Sequence, residues 1–370
     1  MKKILFILPS YSPSIFGGVA VSMGKIIKKI NEVYDVNVLT TNYKIKSKII
    51  TNSWTIFEGV KVYYVKSRTP ALSIHFILKG IFEIHKYDQI HINSLFFFPN
   101  ILFICYSRIF NKKIILSTHG EISEHALKIK SWKKKPYLLL IKIIQKNIVF
   151  RATSLKEFNE IKFHFPNSKV LLIPNFFENN EQLNLQKKNQ FVFLGRISKI
   201  KMIENLIIAC SLSRRFIESD YKLIIAGSVD LEFINYKNDL DLLVFSNNLT
   251  EKIFFIGEID SREKDIFLSE SKALILISAS ENFGNVVIES LQQGTPVIAS
   301  KGTPWEDLNN LNCGYWIDNK PSEIALKIDH FIDINKEEYN KMSINAVNFS
   351  FFFNINKLIP IWEKEMSKIK

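Results

Sequence analysis

Two carboxylates, two cations and one imidazole carry the chemistry that is legible in this sequence. Glu281 and Glu289 lie in the string Ser280-Glu281-Asn282-Phe283-Gly284-Asn285-Val286-Val287-Ile288-Glu289-Ser290-Leu291-Gln292-Gln293-Gly294-Thr295-Pro296-Val297. Gly284 allows a tight turn, a helix is predicted from near Asn285 to Gly294, and Pro296 opens the next strand. Glu281 precedes that helix and Glu289 lies one turn inside it, so both are expected to face the same cleft. A carboxylate accepts two hydrogen bonds from a sugar or ribose diol. The free amides that start the helix are expected to point at the strand ends, where a phosphate would sit.

Gly195-Arg196 follows the apolar run Phe191–Leu194, and Lys201 stands five residues on. At the carboxyl end of a parallel strand, these residues place two cations beside a diphosphate. An ordinary loop with solvated cations has the same composition. His119 ends the run Ile114-Ile115-Leu116-Ser117-Thr118 and is followed by Gly120. An imidazole there serves either a ligand or the structure. Pro9 to Gly18 is read as a loop before the first helix, where paired Gly17 and Gly18 let backbone approach a phosphate. It lacks the GxGxxG spacing and also fits a plain loop.

The elements that must hold these residues alternate. Strand-like apolar runs are Ile4–Leu8, Val36–Thr40, Val62–Val65, Gln89–Ile92, Ile114–Thr118 and Val170–Ile173, then Phe191–Leu194, Leu223–Ala226, Ile253–Ile256, Ala273–Ile277 and Val297–Ala299. The runs are continuously apolar, as expected of strands covered on both faces. Helical patterns lie between them. Val19, Met23, Ile26, Ile27 and Ile30 share one face, and so do Ile203, Leu206, Ile207 and Cys210. The alternation predicts an α/β chain of two doubly wound, parallel-sheet, Rossmann-like domains. Their bounds are 1–177 and 191–350, with a polar linker at 178–190 and a C-terminal amphipathic segment at 351–370 that returns to the first domain. Leu358, Ile361, Trp362 and Met366 line one side of that segment.

The chain has 370 residues, 47% hydrophobic and 23% charged, enough for two cores. Cys105, Cys210 and Cys313 form neither a CxxC pair nor a zinc-type cluster, and read as reduced core thiols. The run Ile4–Leu8 is too short for a secretory h-region, and the apolar stretch Ser94–Phe110 is too interrupted for a membrane span. Net charge is +13, but residues 1–175 hold 27 basic and 9 acidic side chains, leaving the remainder at −5. The first half is therefore expected to face something anionic, unless its charge is simply solvated. Lys128-Ile129-Lys130-Ser131-Trp132-Lys133-Lys134-Lys135 mixes Trp with lysines as a membrane interface favours.

Taken together, these residues resemble glycosyltransferase family 4, a retaining family of GT-B fold. The likeness covers nearly the whole chain and rests on Gly17-Gly18, His119, Ile173-Pro174-Asn175, Gly195-Arg196 with Lys201, Glu281-x7-Glu289 and Gly294-x-Pro296-Val297, in order. Gly302-Thr303-Pro304-Trp305-Glu306-Asp307-Leu308, Cys313-Gly314 and His91-Ile92-Asn93-Ser94 resemble a branch common among bacterial surface-polysaccharide enzymes of O-antigen, capsule and exopolysaccharide synthesis. The chain departs where the family often has Lys-Gly and Pro-Asn-Gly, with Lys201-Met202 and Pro174-Asn175-Phe176.

The resemblance implies roles. Arg196 and Lys201 would neutralise the departing diphosphate of a nucleotide-sugar donor. Glu289 would bind ribose, and Glu281 would hold sugar hydroxyls. Amides near Phe283, Gly284, Asn285 and Val286 would meet sugar and phosphates. His119 would align the sugar, and Gly17 and Gly18 would close over the diphosphate beside Gly195. No metal and no cofactor is expected. The acceptor would be a glycan, lipid-linked, reached by a cytoplasmic protein lying peripherally on the inner face of the cytoplasmic membrane. A sugar-nucleotide epimerase or phosphorylase of the same fold is one alternative, but no cofactor-lysine context is present. A non-catalytic nucleotide- or nucleic-acid-binding protein is another. No nucleic acid partner is expected, because the basic residues form no recognisable RNA or DNA module.

Overall fold

The computed structural model describes the chain except residues 15, 16, 46, 70–72, 179, 180 and 370. It divides into two compact units, Met1–Glu178 with Asn354–Lys370, and Asn179–Phe353.

The first unit is built on eight strands: β1 Lys3–Ile7, β2 Asp35–Thr41, β3 Trp54–Phe57, β4 Val60–Val65, β5 Gln89–Asn93, β6 Lys113–Ser117, β7 Ile148–Ala152 and β8 Lys169–Leu172. Their order is β3-β4-β2-β1-β5-β6-β7-β8, parallel apart from β3. Side chains alternate between the two faces along each strand. Leu5 and Ile7 of β1 enter one core cluster, while Ile4 and Phe6 enter the other. The first core is covered by helices Ile74–Ile84, Pro99–Ile109, Ser131–Ile144 and Leu155–His164, through Phe76, Phe103, Ile141 and Ile161 among others. The second is covered by Gly17–Ile30 and the C-terminal helix Leu358–Ser367, through Met23, Ile26, Leu358 and Trp362. A sheet wrapped on both sides explains why its strands read as unbroken apolar runs.

The second unit has six strands: β9 Gln190–Leu194, β10 Lys222–Ala226, β11 Ile253–Gly257, β12 Ala273–Leu276, β13 Val297–Ser300 and β14 Gly314–Ile317. The order is β11-β10-β9-β12-β13-β14, all parallel. Counted within the unit, the strands run 3-2-1-4-5-6, so the winding reverses between β9 and β12. In the first unit it reverses between β1 and β5. Ligands of open parallel sheets bind outside the strand ends at such reversals.

Three strands are absent from the sequence reading, each for a local reason. β3 is a half-exposed edge strand that pairs antiparallel with β4 across a two-residue turn. Glu58 and Gly59 there both have positive φ, the turn that suits a hairpin's twist. β7 carries the charged Arg151, and β14 starts at a glycine and is only four residues long. Val19, assigned to the buried stripe of its helix, is exposed, and Ala20 takes the inward position. Cys105 is exposed, so only Cys210 and Cys313 are core thiols.

The segment read as a linker is held along the second unit. Leu183 N–H donates to Gln293 Oε1, Lys187 Nζ to Thr295 Oγ1, and Lys188 pairs with Glu270. Residues 351–353 also count with that unit, and the chain re-enters the first at Asn354, where Ile355 N–H donates to Phe177 O.

Candidate active site

In the second unit the residues singled out from sequence meet at the β9/β12 reversal. Gly195 and Arg196 directly follow β9, and a turn at Lys199–Lys201 leads into helix Ile203–Leu212. Glu281 follows β12 at the end of a short loop. Ala279 N–H donates to Ile200 O, which ties the two loops together. Lys201 Nζ is ion-paired with Glu281 Oε1, and each side chain is only 16% exposed. Lys201 Cε and Nζ stand 3.7 and 3.8 Å from where a Cβ on Gly195 would lie. Ser278 Oγ donates to the same Glu281 oxygen at 2.8 Å, and Glu281 N–H donates to Gly302 O. Arg196 lies further out, 56% exposed, with a long 3.5 Å pairing to Asp230.

Met202 occupies the position that the resemblance often fills with glycine. Its φ is +52° and ψ +40°, so the left-handed turn is kept without the residue that favours it. Gly227, which follows β10, escapes sequence reading altogether. A Cβ there would lie 1.8 Å from Gly195 O, so only glycine lets the two strand ends approach.

Helix Asn285–Gln292 starts at Gly284, whose φ is +78° and whose added Cβ would press on Leu276 and Trp305. No side chain caps this start. The positive dipole end and first amides of a helix favour an anion. The structure buries the Phe283 ring edge-on against Trp305, and Trp305 Nε1 donates to Phe283 O. Phe283 thus anchors the loop through its side chain, and Trp305 is the partner that sequence reading did not supply. Glu289 lies in the helix and pairs with Lys264 at 2.7 Å, apart from the Lys201–Glu281 pair. The two glutamates therefore have separate cationic partners.

In the first unit, Asn93 ends β5 beside the β1/β5 reversal. Its Nδ2 donates to Ile7 O at 3.4 Å, and its Oδ1 lies 2.9 Å from His119 Nε2. With the amide nitrogen turned to a carbonyl, Oδ1 accepts the Nε2–H, and His119 is left with Nδ1 as a lone-pair acceptor. His119 has φ +50°. Its loop is held by buried Glu157, which accepts from Thr118 Oγ1, Gly120 N–H, Thr153 N–H and Thr153 Oγ1. Asn93 lies in the string His91-Ile92-Asn93-Ser94, but neither Glu157 nor Glu121, which accepts from Ser94, Leu95 and Phe96, carries a sequence motif. Buried acceptors of this kind announce themselves only once their donors converge.

Burial, with the charge of Arg151 added, lowers the pKa of both His91 and His119 to about 3. Arg151 is itself buried, donating to Pro174 O and Asn175 Oδ1. Below pH 6.5 the unfolded chain takes up protons at these rings while the folded chain does not. Stability therefore falls as pH drops from 6.5 towards 3. For His91, which is fully enclosed, the loss at pH 5 is about 2 kcal/mol. His91→Phe keeps a ring between Phe6 and Trp362 and removes the titration. Its melting temperature is expected to fall less than the parent's between pH 7.5 and 5. Equal falls would show that His91 is not the group responsible.

Gly17 and Gly18 are the first two residues of helix Gly17–Ile30 rather than part of the loop before it. Gly18 O accepts from Ser22 Oγ at 2.7 Å. Ile15 and Phe16 of the same string lie outside the described residues. Among those described, no helix is long and apolar enough to cross a membrane.

Comparison with known proteins agrees with this geometry. Residues 175–349, essentially the second unit, match the family described as Glycosyl transferases group 1. A Methanocaldococcus jannaschii protein, the uncharacterized glycosyltransferase MJ1607, is 26% identical over 367 residues, 89% of each chain. An uncharacterized 41.2 kDa protein in the cps region of Klebsiella pneumoniae is 24% identical, over 72% of this chain and 76% of its own. Anabaena Alr3699/HepE, solved in complex with UDP and glucose, superposes with a TM-score of 0.78 at 16% identity over 100% of both chains. That likeness is one of fold, and the fold is GT-B. The paired parallel sheets, the strand-end loops that gather Gly195, Lys201 and Glu281, and the family match over the unit that bears them make this chain a GT4-like glycosyltransferase.

Proposed function

We propose that the chain is a retaining glycosyltransferase that moves a sugar from a nucleotide-sugar to a lipid-borne glycan, in the assembly of a bacterial surface polysaccharide. The observation that carries the donor reading is the gathering of Gly195, Lys201 and Glu281 at the β9/β12 reversal. Lys201 is already in contact with Glu281, so a bound donor would exchange one ion pair for two ligand contacts. The diphosphate would take Lys201 and Arg196, and the sugar hydroxyls would take Glu281. Glu289 would exchange Lys264 for a ribose diol.

Charge builds on the leaving diphosphate as the glycosidic bond breaks. Fixed cations and a helix N-terminus lower that barrier because they need no reorganisation. Two side-chain cations supply this charge, and so the proposal includes neither a metal nor a cofactor. His119, with Nε2 engaged by Asn93, would offer its Nδ1 as an acceptor for a hydroxyl. The UDP and glucose of the HepE complex make UDP-sugars the first donors to try. The cps-region relative supports a surface polysaccharide as the destination.

A thermal-shift screen against UDP, GDP, ADP, CMP and dTDP, then their sugars, tests the donor site. One nucleotide is expected to raise the melting temperature, because a ligand that binds only the folded state stabilises it by mass action. A shift lost in Lys201→Ala places the ligand at the strand ends. No shift with any nucleotide, together with no transfer from any nucleotide-sugar, defeats the reading.

A further inference from the structure

Helix Ser131–Ile144 is apolar on two sides. Ile141 and Ile144 face the core, as a surface helix requires. The outward side also carries Trp132, Leu139 and Ile143, which are 72%, 61% and 70% exposed. These fall at i, i+7 and i+11, one ridge along the helix. Residues 128–147 hold seven lysines and no acidic residue. Lys133, Lys135 and Lys142 stand exposed beside the ridge, and Lys133 Nζ lies 4.8 Å from the Trp132 ring centroid.

The neighbouring helices of the same layer also expose apolar side chains. Ile74 and Phe82 are exposed on Ile74–Ile84, and Ile109 is exposed at the end of Pro99–Ile109. Glu83 of this layer's first helix is buried and paired with Lys79 and Lys86, and Glu124 pairs with Lys128, so neither is a partner of Lys133, Lys135 or Lys142. A protein partner of ordinary surface would leave this positive field unanswered. An anionic lipid surface answers both features at once: acyl boundary for the apolar ridge, headgroup phosphate for the ammonium groups.

We propose that this helix layer, with Trp132, Leu139 and Ile143 as its wedge and Lys133, Lys135 and Lys142 as its collar, docks the protein on an anionic lipid bilayer. It deepens the reading of a lipid-borne acceptor and rests on it for its purpose. The helix follows directly on the loop bearing His119, through the short helix Glu124–Lys128. Docking would therefore hold the first unit's strand-end loops near the surface where such an acceptor is anchored.

Flotation of the full chain with phosphatidylcholine vesicles, with and without about one-third phosphatidylglycerol, tests the proposal. Binding is expected to the anionic vesicles and to weaken with salt. Leu139→Ser/Ile143→Ser and Lys133→Glu/Lys135→Glu/Lys142→Glu are each expected to reduce partitioning at least tenfold. All five positions are exposed, so melting temperature and nucleotide shift should be retained, which confirms intact folding and an intact donor site. Four outcomes would overturn the proposal: no binding to anionic vesicles at low salt, undiminished binding by both variants, preferential binding to duplex DNA, or a dimer that both variants dissolve. If nucleotide still binds in any of these cases, the docking surface has failed and the donor site has not.

Discussion

Alanine at Arg196 or Lys201 is expected to lower turnover by about 100- to 1000-fold, the usual cost of removing one preorganised partner of transition-state charge. The two substitutions should differ in their side effects. Arg196 is 56% exposed with only a long contact to Asp230, so its removal should leave stability unchanged and report on electrostatics alone. Lys201 is enclosed with Glu281, and its removal takes the cation from that carboxylate while the Ser278 hydroxyl still donates to it. Pairing Lys201→Ala with Glu281→Gln separates the two roles. If Lys201 acts only by holding Glu281, the double variant is no worse than the single one. If it neutralises the diphosphate, a further loss appears. Full transfer activity in both Arg196→Ala and Lys201→Ala would remove the diphosphate site from these residues.

Trp362→Ala is expected to cost about 4 kcal/mol, in the range for deleting a large enclosed aromatic side chain. Trp362 is 1% exposed in the second core cluster of the first unit and stacks on His91 with ring centroids 5.0 Å apart. The helix that bears it, Leu358–Ser367, is joined to the rest of its unit only after the whole of Asn179–Phe353 has intervened. Denaturant unfolding followed by near-ultraviolet signal would read the loss. Less than about 1 kcal/mol would show that the C-terminal helix only rests on the unit. The effect should also reach the chemistry. His91 and Asn93 are two apart on β5 and so share one face, and Asn93 is the residue that orients His119.

Periodicity and punctuation made the alternating fold legible. Buried parallel strands need unbroken apolar runs, and the helices between them need a stripe. Eleven of the strands were readable on that basis. Those that were not broke the rule locally: β3 is an exposed edge, β7 carries Arg151, and β14 is short. The second-unit site was legible for a different reason. Gly284, Gly294 and Pro296 punctuate a loop, helix and strand in one continuous string, so Glu281 and Glu289 stand at fixed offsets from their own backbone.

What the sequence by itself determined, then, was element type and the local spacing of the candidate residues. What the tertiary structure decided was which of them meet. Lys201 reaches Glu281 across 80 residues, Glu289 takes Lys264 instead, and Trp305 holds the Phe283 carbonyl. Glu157 gathers four donors around the His119 loop, and Gly227 is glycine only because Gly195 passes 1.8 Å from where its Cβ would be. Periodicity reports which side of an element is buried, a property of a dozen consecutive residues. Hydrogen-bond partners and close backbone approaches are set by strand order and register, which bring distant residues to one strand end. That information resides in packing, and one chain read in order does not contain it.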